Sequence, residues 1–295
     1  LLSGHASYPR ILFFAFFVGT IDAFDMPARM AFMPELVGQK ALHSAISLNS
    51  ANFNITRMVG PLLAASLITY LSYSNIFFLN ALSLVPILFA YHRMPVNSAP
   101  LTQKSPWQEI RLGLQAAREN PIIFKNLLAA GIVSGLILNM GTYGPLFADR
   151  VLHAGVEGFG SILFAAGGGS LLSGLLSASS HGHLSQNKIF LSGLLCGFFL
   201  MVVSYISIFW LAMVVFAVMG FFVILFIINC NTVIQIASPK EYLGRIMGLY
   251  TFVFLGVAPF GSLLVSSIIE LLGTSQGLLV TGALEIGLLL LVMRK

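Results

Sequence analysis

The stretch IFWLAMVVFAVMGFFVILFIINCNTVIQIA, Ile208–Ala237, contains no acidic or basic residue. A helix needs about 20 mostly apolar residues to cross the hydrocarbon core of a bilayer. This segment exceeds that length, which leaves room for tilt or for extension beyond the membrane. Its last third carries three amides, Asn229, Asn231 and Gln235. In hydrocarbon such groups need hydrogen-bond partners, either on neighbouring helices or along a cavity.

The same rule applied outward along the chain gives nine spans: Pro9–Arg29, Ala45–Leu71, Asn75–Tyr91, Ile122–Ala148, Gly158–Ser180, Ile189–Tyr205, Ile208–Ala237, Gly244–Leu271 and Thr274–Met293. Composition agrees. Hydrophobic residues make up 57% of the chain, charged residues 8%, and the mean hydropathy is +0.92. A soluble domain carries roughly 25% charged residues, so this chain has too little polar surface to live in water. The formal charge of +5 comes from cations spaced between apolar runs. It forms no basic arm or stripe, which argues against nucleic acid as a partner. Cys196 and Cys230 both lie inside apolar runs and read as small apolar fillers. His181 and His183 have no third ligand near them, so no metal is expected. The Gly167-Gly168-Gly169 run has neither the preceding strand nor the following lysine of a phosphate loop, and it reads as a site of close helix packing.

One long polar interruption, Arg93–Pro121, divides the spans three to six. Its second half, PWQEIRLGLQAAREN, reads as an amphipathic helix starting at Pro106, lying on the membrane surface. The lysines and arginines set the orientation. Arg29, Lys40, Arg93, Lys104, Arg111, Arg118, Lys125, Lys188, Lys240, Arg245, Arg294 and Lys295 fall on one set of connections, and only Arg10 and Arg150 on the other. The long loop and the C-terminus are therefore expected in the cytoplasm. Three spans before the loop and six after it suggest a symmetric molecule without its three leading helices. The opening LLSGHASYPR lacks the basic n-region of a signal peptide.

An internal repeat supports that symmetry. RMVGPLLAASLI (Arg57–Ile68) and FLGVAPFGSLLVSSI (Phe254–Ile268) each place a proline in mid-span beside small residues. Each is followed by a short turn and another apolar span, an arrangement used by many secondary transporters. AFDMPARMAFMPELV (Ala23–Val37), RMVGP (Arg57–Pro61) and VIQIASPKEYLGRIMGLY (Val233–Tyr250) resemble the major facilitator superfamily. Within it they are most similar to the bacterial efflux branch that includes enterobactin exporters and macrolide-efflux permeases. The resemblance runs from the end of that family's third helix through its twelfth. It implies an all-α membrane fold, with about nine of an expected twelve transmembrane helices. Residues 1–93 would be the rest of the N-terminal bundle, 94–121 the cytoplasmic central loop, and 122–295 the C-terminal six-helix bundle. One departure is the loop SASSHGHLSQNK (Ser177–Lys188), which lacks the Asp-Arg-x-Gly-Arg pattern that many members carry there.

Candidate functional residues follow from polarity in apolar surroundings. Arg57 lies midway along its span, where a cation costs roughly 2.5–3.5 kcal/mol on insertion scales, so it should face protein or a water-filled cavity. Ser50, Asn54, Arg57, Gly60/Pro61 and Ala64 recur at spacings of three or four and form one stripe. Asp22 and Asp25 share a face with Arg29 on the preceding span. Arg57 is expected to pair with Asp22, and Asp25 with Arg29. Either a static ion pair or a site handling substrate charge or a coupling proton fits this pattern. Gly60-Pro61 and Ala258-Pro259 are gating or hinge candidates, because proline removes a helix hydrogen bond. Ser50, Asn54, Asn139, Asn229, Asn231 and Gln235 are candidates to line a cavity. Glu285, alone in the last span, is expected as a neutral carboxyl bonded to a neighbour.

The expected function is secondary active transport by alternating access. The resemblance implies proton-coupled export of a small amphipathic molecule of drug or siderophore type across the bacterial inner membrane, by a monomeric carrier without cofactors. Alternatives are an uptake carrier or lipid flippase of the same fold, or a non-transporting truncated fragment. An intramembrane enzyme would need clustered carboxylates or histidines at one membrane face, and Asp22 with Asp25 do not make such a site.

Overall fold

The computed structural model describes residues 8–93, 106–179 and 185–294. Among them every regular element is helical. Among the described residues six segments are long and apolar enough to cross a membrane: Pro121–Arg150, Gly155–Ser179, Gln186–Val203, Phe209–Ala237, Lys240–Leu272 and Thr274–Arg294. They coincide with the six spans read after the central loop. The His181/His183 pair lies outside the described residues.

The first part of the chain differs from the sequence reading. The stretch between Arg29 and Ala45 was expected to connect two spans. Instead helical geometry continues through it: α1 (Tyr8–Tyr70) consists of two helices that meet at Gly38, its non-helical residue, at φ 71° and ψ 163°. That region of backbone space is essentially open to glycine alone. The flanking residues stay helical because they bury apolar side chains. Met30, Ala31 and Met33 before the kink, and Leu42 and Ile46 after it, pack against the C-terminal bundle. The next expected span, Asn75–Tyr91, is split into α2 (Tyr73–Ser83) and α3 (Val85–Arg93). Pro86 follows the break at Leu84, and a proline within a continuous helix would remove a hydrogen bond there. α4 (Pro106–Glu119) packs on the start of a later helix, with Ala117 fully buried and Trp107 exposed.

Two further spans are broken in the middle. The first forms α5 (Pro121–Leu136) and α6 (Met140–Arg150). After it come α7 (Gly155–Ser179), α8 (Gln186–Val203) and α9 (Phe209–Ala237). The second broken span follows a short 3-10 turn and forms α10 (Leu243–Gly256) and α11 (Ala258–Leu272), and the last helix is α12 (Thr274–Arg294). The bundle core includes Tyr143, Phe147, Phe216, Phe226 and Tyr250, and the Phe147 and Phe216 rings meet edge to face at 5.7 Å.

α7 and α9 pack most extensively, and small residues let their backbones touch. A Cβ on Gly169 would overlap the Ala217 carbonyl, and one on Gly220 would overlap the Ala166 carbonyl. Gly168, next in the glycine run, faces open space. Replacing Gly220 with valine should therefore force α7 and α9 apart and cost about 1–3 kcal/mol by overpacking. Gly168→Ala should leave stability equal or slightly improved. Thermal unfolding of the detergent-solubilised protein checks the contrast, and equal melting temperatures for the two variants would refute it.

Candidate functional site

Two features of the structure gather polar groups within the apolar helices. One is the pair of broken helices, the other is the seam where α1 meets the C-terminal bundle.

At the first break the chain leaves helical geometry between Leu136 and Met140, and Pro145 lies a turn further on. A broken helix frees carbonyl groups that hydrocarbon cannot satisfy. Here side chains reach two of them. The Asn139 amide donates to the Gly135 carbonyl, and the buried Tyr143 hydroxyl donates to the Ile137 carbonyl at 2.9 Å. At the second break Val257 separates α10 from α11, and Pro259 stands in the first turn of α11. The Ser134 hydroxyl of α5 donates to the Phe254 carbonyl just before that break. The hydroxyls of Thr142 (α6) and Ser262 (α11) bond across at 2.7 Å. Gly261 lies so close to Gly135 that a Cβ on it would overlap the Gly135 backbone. The two breaks thus face one another and are tied by side-chain hydrogen bonds. In transporters, substrate and ion sites are commonly built from such discontinuous helices.

The seam lies at the end of the bundle that carries α4, where Asn120 donates to the Ala237 carbonyl. Because of the kink at Gly38, α1 contacts α9 with both of its segments. Before the kink, the Met30 sulfur accepts from the Asn231 amide at 3.7 Å. After it, His43 Nε2 and Asn229 Oδ1 lie 3.1 Å apart, flanked by Leu42, Ile46 and Ile228. The Gln235 amide donates to Asn231, one helical turn away on α9. His43 Nδ1 and Gln235 Oε1 are buried without a partner. Further along, Ala51 of α1 sits against Gly174 of α7, where a Cβ would come within 3.0 Å of the Ala51 backbone. The seam is closed at this end. At the opposite end α7 and α9 border a cavity of about 530 Å³, lined mainly by Phe164, Phe209, Trp210 and Met213, with Glu157 as its acidic residue.

Asn229, Asn231 and Gln235 gather at the seam. Asn139, Ala258 and Pro259 lie at the facing breaks. Asp25 and Arg29 form an ion pair at 2.5 Å, one turn apart on α1 and well exposed to the surroundings. Ser50 is half-buried on α1 beside Ala51. Asp22, Asn54, Arg57, Gly60 and Pro61 belong to α1, but their side chains lie outside the described residues, and so does the expected Asp22–Arg57 pair. His43 is the residue that sequence reasoning missed. The spacing of His43, Ile46 and Ser47 with the apolar residues that follow would have placed it on the inward face, had the span not been started at Ala45.

Comparison with known proteins agrees with this architecture. Residues 2–295 match the family described as transmembrane secretion effector, a division of the major facilitator superfamily. An uncharacterized MFS-type transporter of Bacillus subtilis, YfiS, is 26% identical over 291 residues, covering 92% of this chain and 68% of that protein. The multidrug efflux pump Tap of Mycolicibacterium fortuitum is 25% identical over 280 residues, covering 92% of this chain and 67% of the pump. The match extends over nearly the whole chain, including both broken helices and the seam, and the chain belongs to the transmembrane secretion effector family of major facilitator transporters.

Proposed function

We propose that this transporter exports a small amphipathic molecule from the cytoplasm by alternating access, driven by proton re-entry, and that the α1 seam is its gate on the α4 side. The observation that carries the reading is the closed seam between α1 and the C-terminal bundle, with its polar bridge from His43 to Asn229. A carrier of this kind rocks two halves about a central site, so contacts between the halves at one end form while those at the other end break. Residues 1–93 then belong to the N-terminal half, 94–121 to the link and 122–295 to the C-terminal half. The asymmetry of lysine and arginine supports an orientation in a bacterial inner membrane with the α4 side and the C-terminus facing the cytoplasm. The name of the Mycolicibacterium relative, a multidrug efflux pump, supports the outward direction. Arg57 and Asp22 handle substrate charge or a coupling proton, and Gly60-Pro61 and Ala258-Pro259 serve as hinges.

Cells producing the protein should hold severalfold less of at least one dye from a panel of cationic, neutral and anionic amphiphiles than control cells, and a protonophore should erase the difference. Higher accumulation would identify uptake instead, and equal accumulation across the panel rejects transport of this class.

The gate is tested by His43→Ala, Asn229→Ala and the double variant. Removing one partner leaves a buried polar group unsatisfied, at about 1–3 kcal/mol. Each single variant should therefore shift the gate toward opening by roughly tenfold or more, and the double variant should lose less than the sum. Cysteine crosslinking or spin-label distances across α1 and α9 read the shift, and strict additivity would remove the coupling. Arg57→Leu and Asp22→Asn should each abolish transport with normal folding, as should their combination. Recovery in the combined variant would make the pair purely structural.

A further inference from the structure

Glu285 belongs neither to the seam nor to the breaks. It lies midway along α12 and is 0% exposed. The neighbour bond expected for it is absent among the described residues, since neither carboxyl oxygen has a hydrogen-bond partner there. Its seat is made by glycine. A Cβ on Gly197 of α8 would overlap Glu285 Oε2 and stand 3.0 Å from the Gly282 carbonyl oxygen. A Cβ on Gly282 would in turn meet the Gly197 carbonyl oxygen at 2.6 Å. The carboxyl therefore fills the space left where two helix backbones come together without side chains.

The helices packed on α12 are α8, α11, α5 and α6. The titratable groups facing Glu285 from them are the Cys196 thiol on α8 and, beyond it, the Tyr143 hydroxyl on α6. Each gives its hydrogen to a backbone carbonyl, Cys196 to Ser192 at 3.1 Å and Tyr143 to Ile137 at 2.9 Å. Neither donates to Glu285. The charged residues of the same helices, Lys125, Asp149, Arg150, Lys188 and Glu270, form no ion pair with it. A carboxylate ion without donor or counter-charge is far costlier in such a place than the neutral acid. Buried unsatisfied groups are rare in native proteins and call for a specific explanation.

We propose that Glu285 is a proton-binding site of the C-terminal bundle. It is occupied while α8 and α12 are closed on each other at Gly197 and Gly282, and it is emptied only when they part far enough to admit water. The site stands apart from the transport reading, because its occupancy is measurable on the resting protein. Infrared spectra of the purified full-length protein at neutral pH, wild type against Glu285→Gln, test it directly. The expected difference is the loss of one protonated-carboxyl C=O band in the variant, which as an isostere of the neutral acid should melt close to wild type. A loss in the carboxylate region instead, or no difference, overturns the proposal. If the variant fails to fold, wild type alone decides. Dicyclohexylcarbodiimide, which requires the acid proton, should label Glu285 at neutral pH, and labelling should fall at least tenfold under alkaline conditions. Absence of label at Glu285 by peptide mass mapping overturns the proposal equally.

Discussion

Helices in lipid gain little from burying apolar side chains against one another, because the lipid tails are as apolar as leucine. Their association depends on close backbone contact and on interhelical hydrogen bonds. This constraint organises the whole C-terminal bundle. α7 and α9 touch at Gly169/Ala217 and at Gly220/Ala166, α8 and α12 at Gly197/Gly282, and α5 and α11 at Gly135/Gly261. α1 joins through Ala51 against Gly174. In each case a side chain would hold the backbones apart, so the arrangement of helices is written in where the small residues stand.

The same constraint explains where the helices can break. A carbonyl released in hydrocarbon needs a donor, and the donors stand on the partner helix or on the break itself. Ser134 reaches the Phe254 carbonyl from α5, and Tyr143 and Asn139 serve carbonyls of their own span. Because Gly135 and Gly261 bring α5 and α11 into contact, the two interruptions lie side by side. A change in one alters the donors available to the other.

Much of this was legible in the sequence, and what was not has identifiable physical reasons. The six C-terminal spans and the helix opening at Pro106 follow from hydropathy and proline chemistry alone. The Asp25–Arg29 pair follows from one-turn spacing. Pro259 marked a break that the structure places two residues earlier. The three amides of α9 announced themselves by polarity, but their partners did not, since His43 and Met30 lie some two hundred residues away in sequence. Gly38 was hidden for another reason. Its neighbours, polar enough to suggest a connection, stay helical because α9 and α10 bury their apolar members, and that is tertiary context. Glu285 was expected to have a bonded neighbour because isolated buried acids are costly, and only the structure shows a seat without one.

The kink at Gly38 gives α1 a particular hold on the bundle. Asn229 and Asn231 are two residues apart and so point to nearly opposite sides of α9, yet both meet α1, through His43 and Met30. A straight helix could follow only one side. With the kink, α1 straddles the end of α9, and the seam cannot open by sliding along one face. Both segments must leave together, or the angle at Gly38 must change as they go. Gln235 extends the Asn231 side through its bond to Asn231, and its own oxygen, like Nδ1 of His43, is buried without a partner among the described residues. Water entering between the halves would satisfy both. The closed seam thus carries an unpaid polar cost that opening relieves, against the burial of Leu42, Ile46 and Ile228 that opening gives up. For the proposed gate these are opposed terms, each a few kcal/mol at most, and a gate so balanced can be thrown by a ligand of ordinary affinity.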